Sequence, residues 1–171
     1  MIQSILMVTQ FLILSLVGGF TSTALAQGIQ CLDDSGRAIP VSNNQVLQWK
    51  STTSNQFLAR SHVKGVVMDV YPDHTGHNHF AIDLDSNPRD GLEVVYNTSF
   101  GALPAIRVGM TVEACGDYIT SNDATSEYPA SPMGAIIHWV HRNPSPQGHK
   151  SGFLIINGQV YGQGNGMGDL L

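Results

Sequence analysis

Charge is what this chain has least of. Among 171 residues only 8 are Lys or Arg and 13 are Asp or Glu, 12% in all, with a formal net charge of −5. So thin and slightly acidic a distribution builds no basic field, and a nucleic-acid partner is not expected. Catalytic signatures are missing as well: there is no Gly-x-Ser-x-Gly elbow, no P-loop and no His-Glu-x-x-His helix. Internal repeats and a βαβ rhythm are absent, which argues against solenoids and parallel-sheet folds. Cysteine is limited to Cys31 and Cys115, so no cysteine-rich scaffold or four-thiolate zinc site is available.

The one long apolar stretch is at the start. Ile5 to Val17 is broken only by Thr9, Gln10 and Ser15, and Ala24-Leu25-Ala26 supplies a small-x-small cleavage pattern, although no Lys or Arg precedes the run. Residues 1–26 are therefore read as a signal peptide, shorter in its apolar core than the ~20 residues a span needs. The expected product begins at Gln27, is periplasmic or secreted, and has no membrane contact after cleavage. In an oxidising compartment two thiols in one small domain tend to pair, so a Cys31–Cys115 disulfide is expected. It would close a loop of 84 residues, for which the chain-entropy relation gives about 4–5 kcal/mol.

Past the signal, residues 27–59 read as an arm and a short helix, with Ser42 as N-cap and the helix running from about Asn43 to Trp49. Beyond His62 the period becomes two. Val63 to Tyr71, Phe80 to Leu84, Leu92 to Tyr96, Thr111 to Cys115 and Ala135 to Val140 are the strand candidates. Asn157-Gly158 between Phe153–Ile156 and Gln159–Tyr161 signals a type I′ hairpin. The expectation is an all-β domain over 60–161, a small OB-like barrel of five to six strands with one short N-terminal helix, a β-sandwich being the alternative. The Gly-rich tail, 162–171, is expected to be disordered. Asp83-Leu84-Asp85-Ser86-Asn87 imitates the start of a calcium loop, but Pro88 and Val94 occupy the positions that need Gly and Glu, so a plain turn is favoured.

Six of the seven histidines fall in two segments, one spanning His74, His77 and His79, the other His138, His141 and His149; His62 stands apart. Imidazole is the commonest metal ligand, and several must converge at about 2.0–2.1 Å from an ion. His77 and His79 share a strand face. His138 and His141, three apart, converge only if the strand ends or bulges near Val140. Histidines in turns also serve simply as polar loop residues, and the sequence leaves that reading open.

The segments His62-Val63-Lys64-Gly65-Val66-Val67, His77 to Phe80, Gly116-Asp117-Tyr118 and Gly134-Ala135-Ile136-Ile137-His138-Trp139-Val140-His141, with Pro144, His149 and Gly152, resemble the bacterial domain-of-unknown-function family numbered 3465 over roughly residues 60–161. That resemblance implies an exported, barrel-like domain and no assigned activity. His77, His138, His141 and His149 match its pattern, as do Asn97, Trp139 and Pro144. His74 and His79 do not, and Asn143 replaces an aspartate.

These observations lead to a histidine-lined site that binds a transition metal, zinc or copper, or a small ligand, with His77, His138, His141 and His149 as metal ligands and Trp139, Arg142 and Asn97 lining it. One rival is a hydrolase in which His138 or His141 moves a proton and Arg142 steadies an anionic substrate. Another is a protein-interaction module with Trp139 and Tyr118 as its contact patch.

Overall fold

A computed structural model of the chain describes residues 28–87, 89–145 and 147–164. The expected signal segment and residues 165–171 of the expected tail lie outside the described residues. The elements run α1 (Asn43–Thr52), β1 (Leu58–His74), β2 (His77–Asp83), β3 (Gly91–Asn97), β4 (Thr111–Thr120), β5 (Ala135–His138), β6 (Phe153–Ile156) and β7 (Gln159–Tyr161). The protein is all-β with one short helix. Among the described residues there are seven strands rather than five or six.

β1 is long because it serves two neighbours. Leu58 to Val66 pair with β4, and Val66 to His74 pair with β2, the register slipping between Val67 and Asp69. Gly65 sits at that handover, where a Cβ would stand 2.2 Å from the Asp83 carbonyl oxygen; only glycine lets the two backbones come so close. The strands close into a five-membered ring, β1-β2-β3-β5-β4 and back to β1, with β6 and β7 continuing the sheet from β4. The closing contact is a short parallel one, Glu93↔Ile136 and Val94↔Ile137. A single sheet closed on itself has the OB-like order and not the two facing sheets of a sandwich.

Alternation along the strands fills the ring. Phe80, Ile82, Leu92, Val94, Tyr96, Val112, Ala114, Tyr118 and Ile137 are all fully buried, and each of the larger ones stabilises the fold by about 1.5–3 kcal/mol on leaving water. α1 covers one end, with Val46 buried and Trp49 lying 5.4 Å from the Tyr118 ring. Tyr118, its hydroxyl bonded to Thr120, therefore offers no surface to a partner. Ser42 occupies the N-cap position, but its side chain makes no capping bond. Asn43 instead ties the helix start to the sheet, accepting from Lys64 N–H and donating to the Lys64 and Leu84 carbonyls.

Cys31 and Cys115 are joined in a disulfide across 84 residues. The arm is fastened further where His62 Nδ1 donates to the Ile39 carbonyl and Arg60 Nε donates to that of Leu32. At the β6–β7 turn Asn157 (φ 48°) and Gly158 (φ 86°) are both left-handed, as a type I′ hairpin requires. The acidic turn after β2 is an ordinary Asx turn, Asp83 Oδ1 accepting from the N–H groups of Asp85 and Ser86.

Candidate functional site

With Phe80, Val94 and Ile137 facing inward, the residues one step along each strand, His79, Val95 and His138, leave the outer face of the ring, and His77 shares that face with His79. The strands of His77 and His138 are not neighbours. β3 runs between them because the ring closes through its parallel contact with β5. The two rings nevertheless lean across β3 until their centres are 5.5 Å apart.

His141 joins this side of the molecule through the backbone. β5 ends at His138, and Trp139 adopts φ 51°, a left-handed conformation rare for a bulky side chain. The turn cancels the alternation that would have sent His138 and His141 to opposite faces. Two glycines make room for it. A Cβ on Gly116 would stand 2.4 Å from the His138 carbonyl oxygen, and one on Gly152 would stand 2.3 Å from that of Trp139. Gly152 N–H then donates to the His141 carbonyl (2.7 Å), and Arg142 N–H to that of Gly162 (2.6 Å), so the first tail residues, 162–164, are packed against the site.

The result is a row of rings. Phe100 stacks on His141 with centres 3.6 Å apart; His141 meets His149 edge-on at 5.0 Å. His149 stacks on Trp139 at 5.4 Å, and Trp139 on His138 at 4.9 Å. His77 follows, and then His79, 6.3 Å from His77.

Hydrogen bonds fix the proton on several of these rings. Nδ1 of His77 faces the Thr75 carbonyl (2.9 Å), that of His141 the Arg142 carbonyl (2.9 Å), and that of His149 the Lys150 carbonyl (2.8 Å). A carbonyl only accepts, so Nδ1 carries the hydrogen in each, and in the neutral ring the lone pair is on Nε2. Burial is the main force pushing His138 down to about 4, with His77, His141, His149 and His79 adding repulsion. His141, 3% exposed, is also pushed down to about 4, again chiefly by burial; its bond to the Arg142 carbonyl opposes this, and His149 and His77 add to it. Both rings are neutral at pH 7 and can act as lone-pair donors.

The other expected lining residues stand differently. Asn97 is opposite His77 in the β2–β3 register, but its Oδ1 is engaged by the Ser99 N–H and hydroxyl, where it caps the short 3-10 turn Thr98–Phe100. Arg142 is exposed and contributes its backbone to holding His141. His62 stands apart, as expected, bonded to Ile39 and Glu113. His74 is exposed at the β1–β2 turn.

Sequence reasoning undervalued His79. Its Nδ1 is 2.8 Å from Glu93 Oε1, and Glu93, only 6% exposed, is held on its other oxygen by the Ser131 hydroxyl at 2.5 Å. His79 Nε2 is buried and has no partner. The signal lay in the strand register: with His79 opposite Val95, Glu93 is its diagonal neighbour. As the rings stand, no group of three His, Cys, Asp or Glu side chains among the described residues is gathered closely enough to hold a metal ion.

Fold and site together define a disulfide-stapled, OB-like domain with a histidine and aromatic row on the outside of its ring. The model of a family described as a protein of unknown function (DUF3465) matches residues 35–162, and the chain belongs to that family. The match takes in α1, which the motif resemblance left outside. None of the curated proteins matches the chain.

Proposed function

We propose that this is an exported domain that binds a transition-metal ion, zinc or copper, through the Nε2 atoms of His77, His138, His141 and His149. The observation that carries the reading is the anchoring of three of these rings by Nδ1–H to backbone carbonyls. Metal-binding histidines show this outer-shell arrangement, which fixes the tautomer and aims the other nitrogen. The spacing is compatible pair by pair: two imidazoles bound at about 2.1 Å on a tetrahedral ion have ring centres roughly 5 Å apart, and the His77–His138 and His141–His149 pairs stand at 5.5 and 5.0 Å. A shared ion would have to pull the two pairs toward each other. His149, half-buried, lies on the 142–152 loop, whose described residues are mostly exposed.

The low proton affinity of His138 and His141 favours ligation over proton transfer. A catalytic acid or base works best with a pKa near the working pH, and at about 4 these rings are weak bases. Export is supported by the disulfide, which suits an oxidising compartment. Isothermal titration of chelator-treated protein with Zn²⁺ and Cu²⁺ tests the reading. One ion per chain is expected for the wild type, none at the same concentrations for His138→Ala or His141→Ala, and unchanged binding for His62→Ala. A wild-type protein that binds neither ion overturns it.

A further inference from the structure

The arm, residues 28–42, takes no part in the seven-stranded sheet. Cys31 and Ile39 of the arm pack with Cys115, Phe153 and Ile155 in a small cluster apart from the core inside the ring. The ring core therefore stays packed when the arm alone lifts, which makes the arm a unit that can open locally. Opening matters because the sulfurs are otherwise closed to reagents: Cys31 is 2% exposed and Cys115 0%. Arg60 stands where the arm, the disulfide and the loop of His149 meet. Its Nη2 donates to Cys115 Sγ at 3.1 Å and to the Ser151 carbonyl, while Nε donates to the Leu32 carbonyl in the arm. A guanidinium in that position stabilises negative charge on a departing Cys115 sulfur.

We infer that the Cys31–Cys115 disulfide is a redox-released catch, and that freeing the arm it fastens reaches the histidine loop through Arg60. The co-reactant is an external dithiol. One of its sulfurs, as thiolate, attacks Cys31 Sγ; the Cys31–Cys115 bond breaks, and its electron pair leaves on Cys115 beside Arg60. The second sulfur, losing its proton, attacks the mixed disulfide and releases Cys31. Two electrons pass to the protein, the dithiol ends as a disulfide, and the two protons it gives up are shared between the protein's thiols and solvent. With the arm lifted, Arg60 loses the Leu32 carbonyl and its pair with Asp117 meets water, so its hold on Ser151 weakens. The next residue, Gly152, donates its N–H to the His141 carbonyl, and the loop loosens there. Each of these steps takes place in metal-free protein.

The test uses the full chain, treated with chelator, at pH 7.5. With glutathione, a monothiol, peptide mapping should find the mixed disulfide on Cys31 and a free thiol at Cys115. With excess dithiothreitol and no denaturant the disulfide should open, and ¹⁵N order parameters over residues 31–39 should fall below about 0.6. The Gly152 amide and His149 ring resonances should shift, while those of Ile82 and Val94, inside the ring, stay in place. In Arg60→Gln/Asp117→Asn, which removes both charges and orphans neither, reduction should still free the arm but no longer move Gly152 or His149. Arg60→Lys, which keeps the charge but cannot span Leu32 and Ser151, should behave the same way and serves if the double variant does not fold. Glutathione found on Cys115 overturns the order of attack. A disulfide that resists dithiothreitol, a loss of the Ile82 and Val94 resonances along with the arm's order, or an arm that is freed while Gly152 and His149 stay put overturns the inference. None of these results bears on Zn²⁺ or Cu²⁺ binding, which the titration above measures separately.

Discussion

Acid should weaken this fold at a pH where its carboxylates are still ionised, because His138 and His141 resist protonation while they are folded. Unfolded, each ring takes a proton near pH 6.5; folded, each does so only near 4. Between those values the unfolded state binds more protons, so stability falls as pH falls, beginning near 6.5 and complete below 4. Linkage gives about 1 kcal/mol per ring at pH 6 and about 2 kcal/mol at pH 5, or about 4 kcal/mol for the pair, a large share of the 5–15 kcal/mol typical of one domain. The charges also oppose each other, so the second proton enters later than the first.

The measurement is urea unfolding of chelator-treated protein at pH 7.5 and pH 5.0, followed by far-UV circular dichroism so that the readout does not depend on Trp139. The wild type should lose about 4 kcal/mol between the two conditions, while His138→Gln/His141→Gln, whatever its stability at pH 7.5, should lose little. Equal stability of the wild type at both pH values, or an equal loss in the double variant, would refute the argument. In the first case the rings are not desolvated, and in the second the protons go elsewhere.

Three further outcomes follow from the geometry. Cys31→Ser/Cys115→Ser should lose about 4 kcal/mol in urea unfolding, and reductant should have no further effect on it. Gly152→Ala places a Cβ 2.2 Å from the Cys115 carbonyl oxygen and 2.3 Å from that of Trp139, so it should cost at least about 2 kcal/mol and shift the His149 ring resonances. Asn157→Ala keeps a left-handed φ without the residue that tolerates it, and loses the bond from Thr111 N–H; about 2 kcal/mol should disappear from thermal melts, with metal binding untouched.

How far the sequence revealed all this depends on the range of each interaction. Strands were legible because alternation is local: Val63 to Tyr71 predicted β1, whose true limits at Leu58 and His74 depend on partners in β4 and β2. The Asn157-Gly158 turn carries its conformation in two residues. The disulfide followed from a count of two. Trp139 was not legible, since its left-handed turn requires the room left by Gly116 and Gly152 and the grip of Gly162, all set by tertiary packing. Nor was the Glu93–His79 pair, which appears only once β2 and β3 are in register.

One buried cation shows why the arm and the histidine row are parts of a single construction. The Arg60 guanidinium, its side chain 9% exposed, bonds the Leu32 carbonyl in the arm, the Asp117 carboxylate at 3.0 Å, and the Ser151 carbonyl in the loop that carries His149. Asp117 is the β4 residue directly opposite His138, and Cys115, two residues earlier, anchors the arm. Removing one partner of a buried ion pair leaves an uncompensated charge and costs about 3–5 kcal/mol. Loosening the arm therefore reaches the loop through Arg60 without touching a histidine.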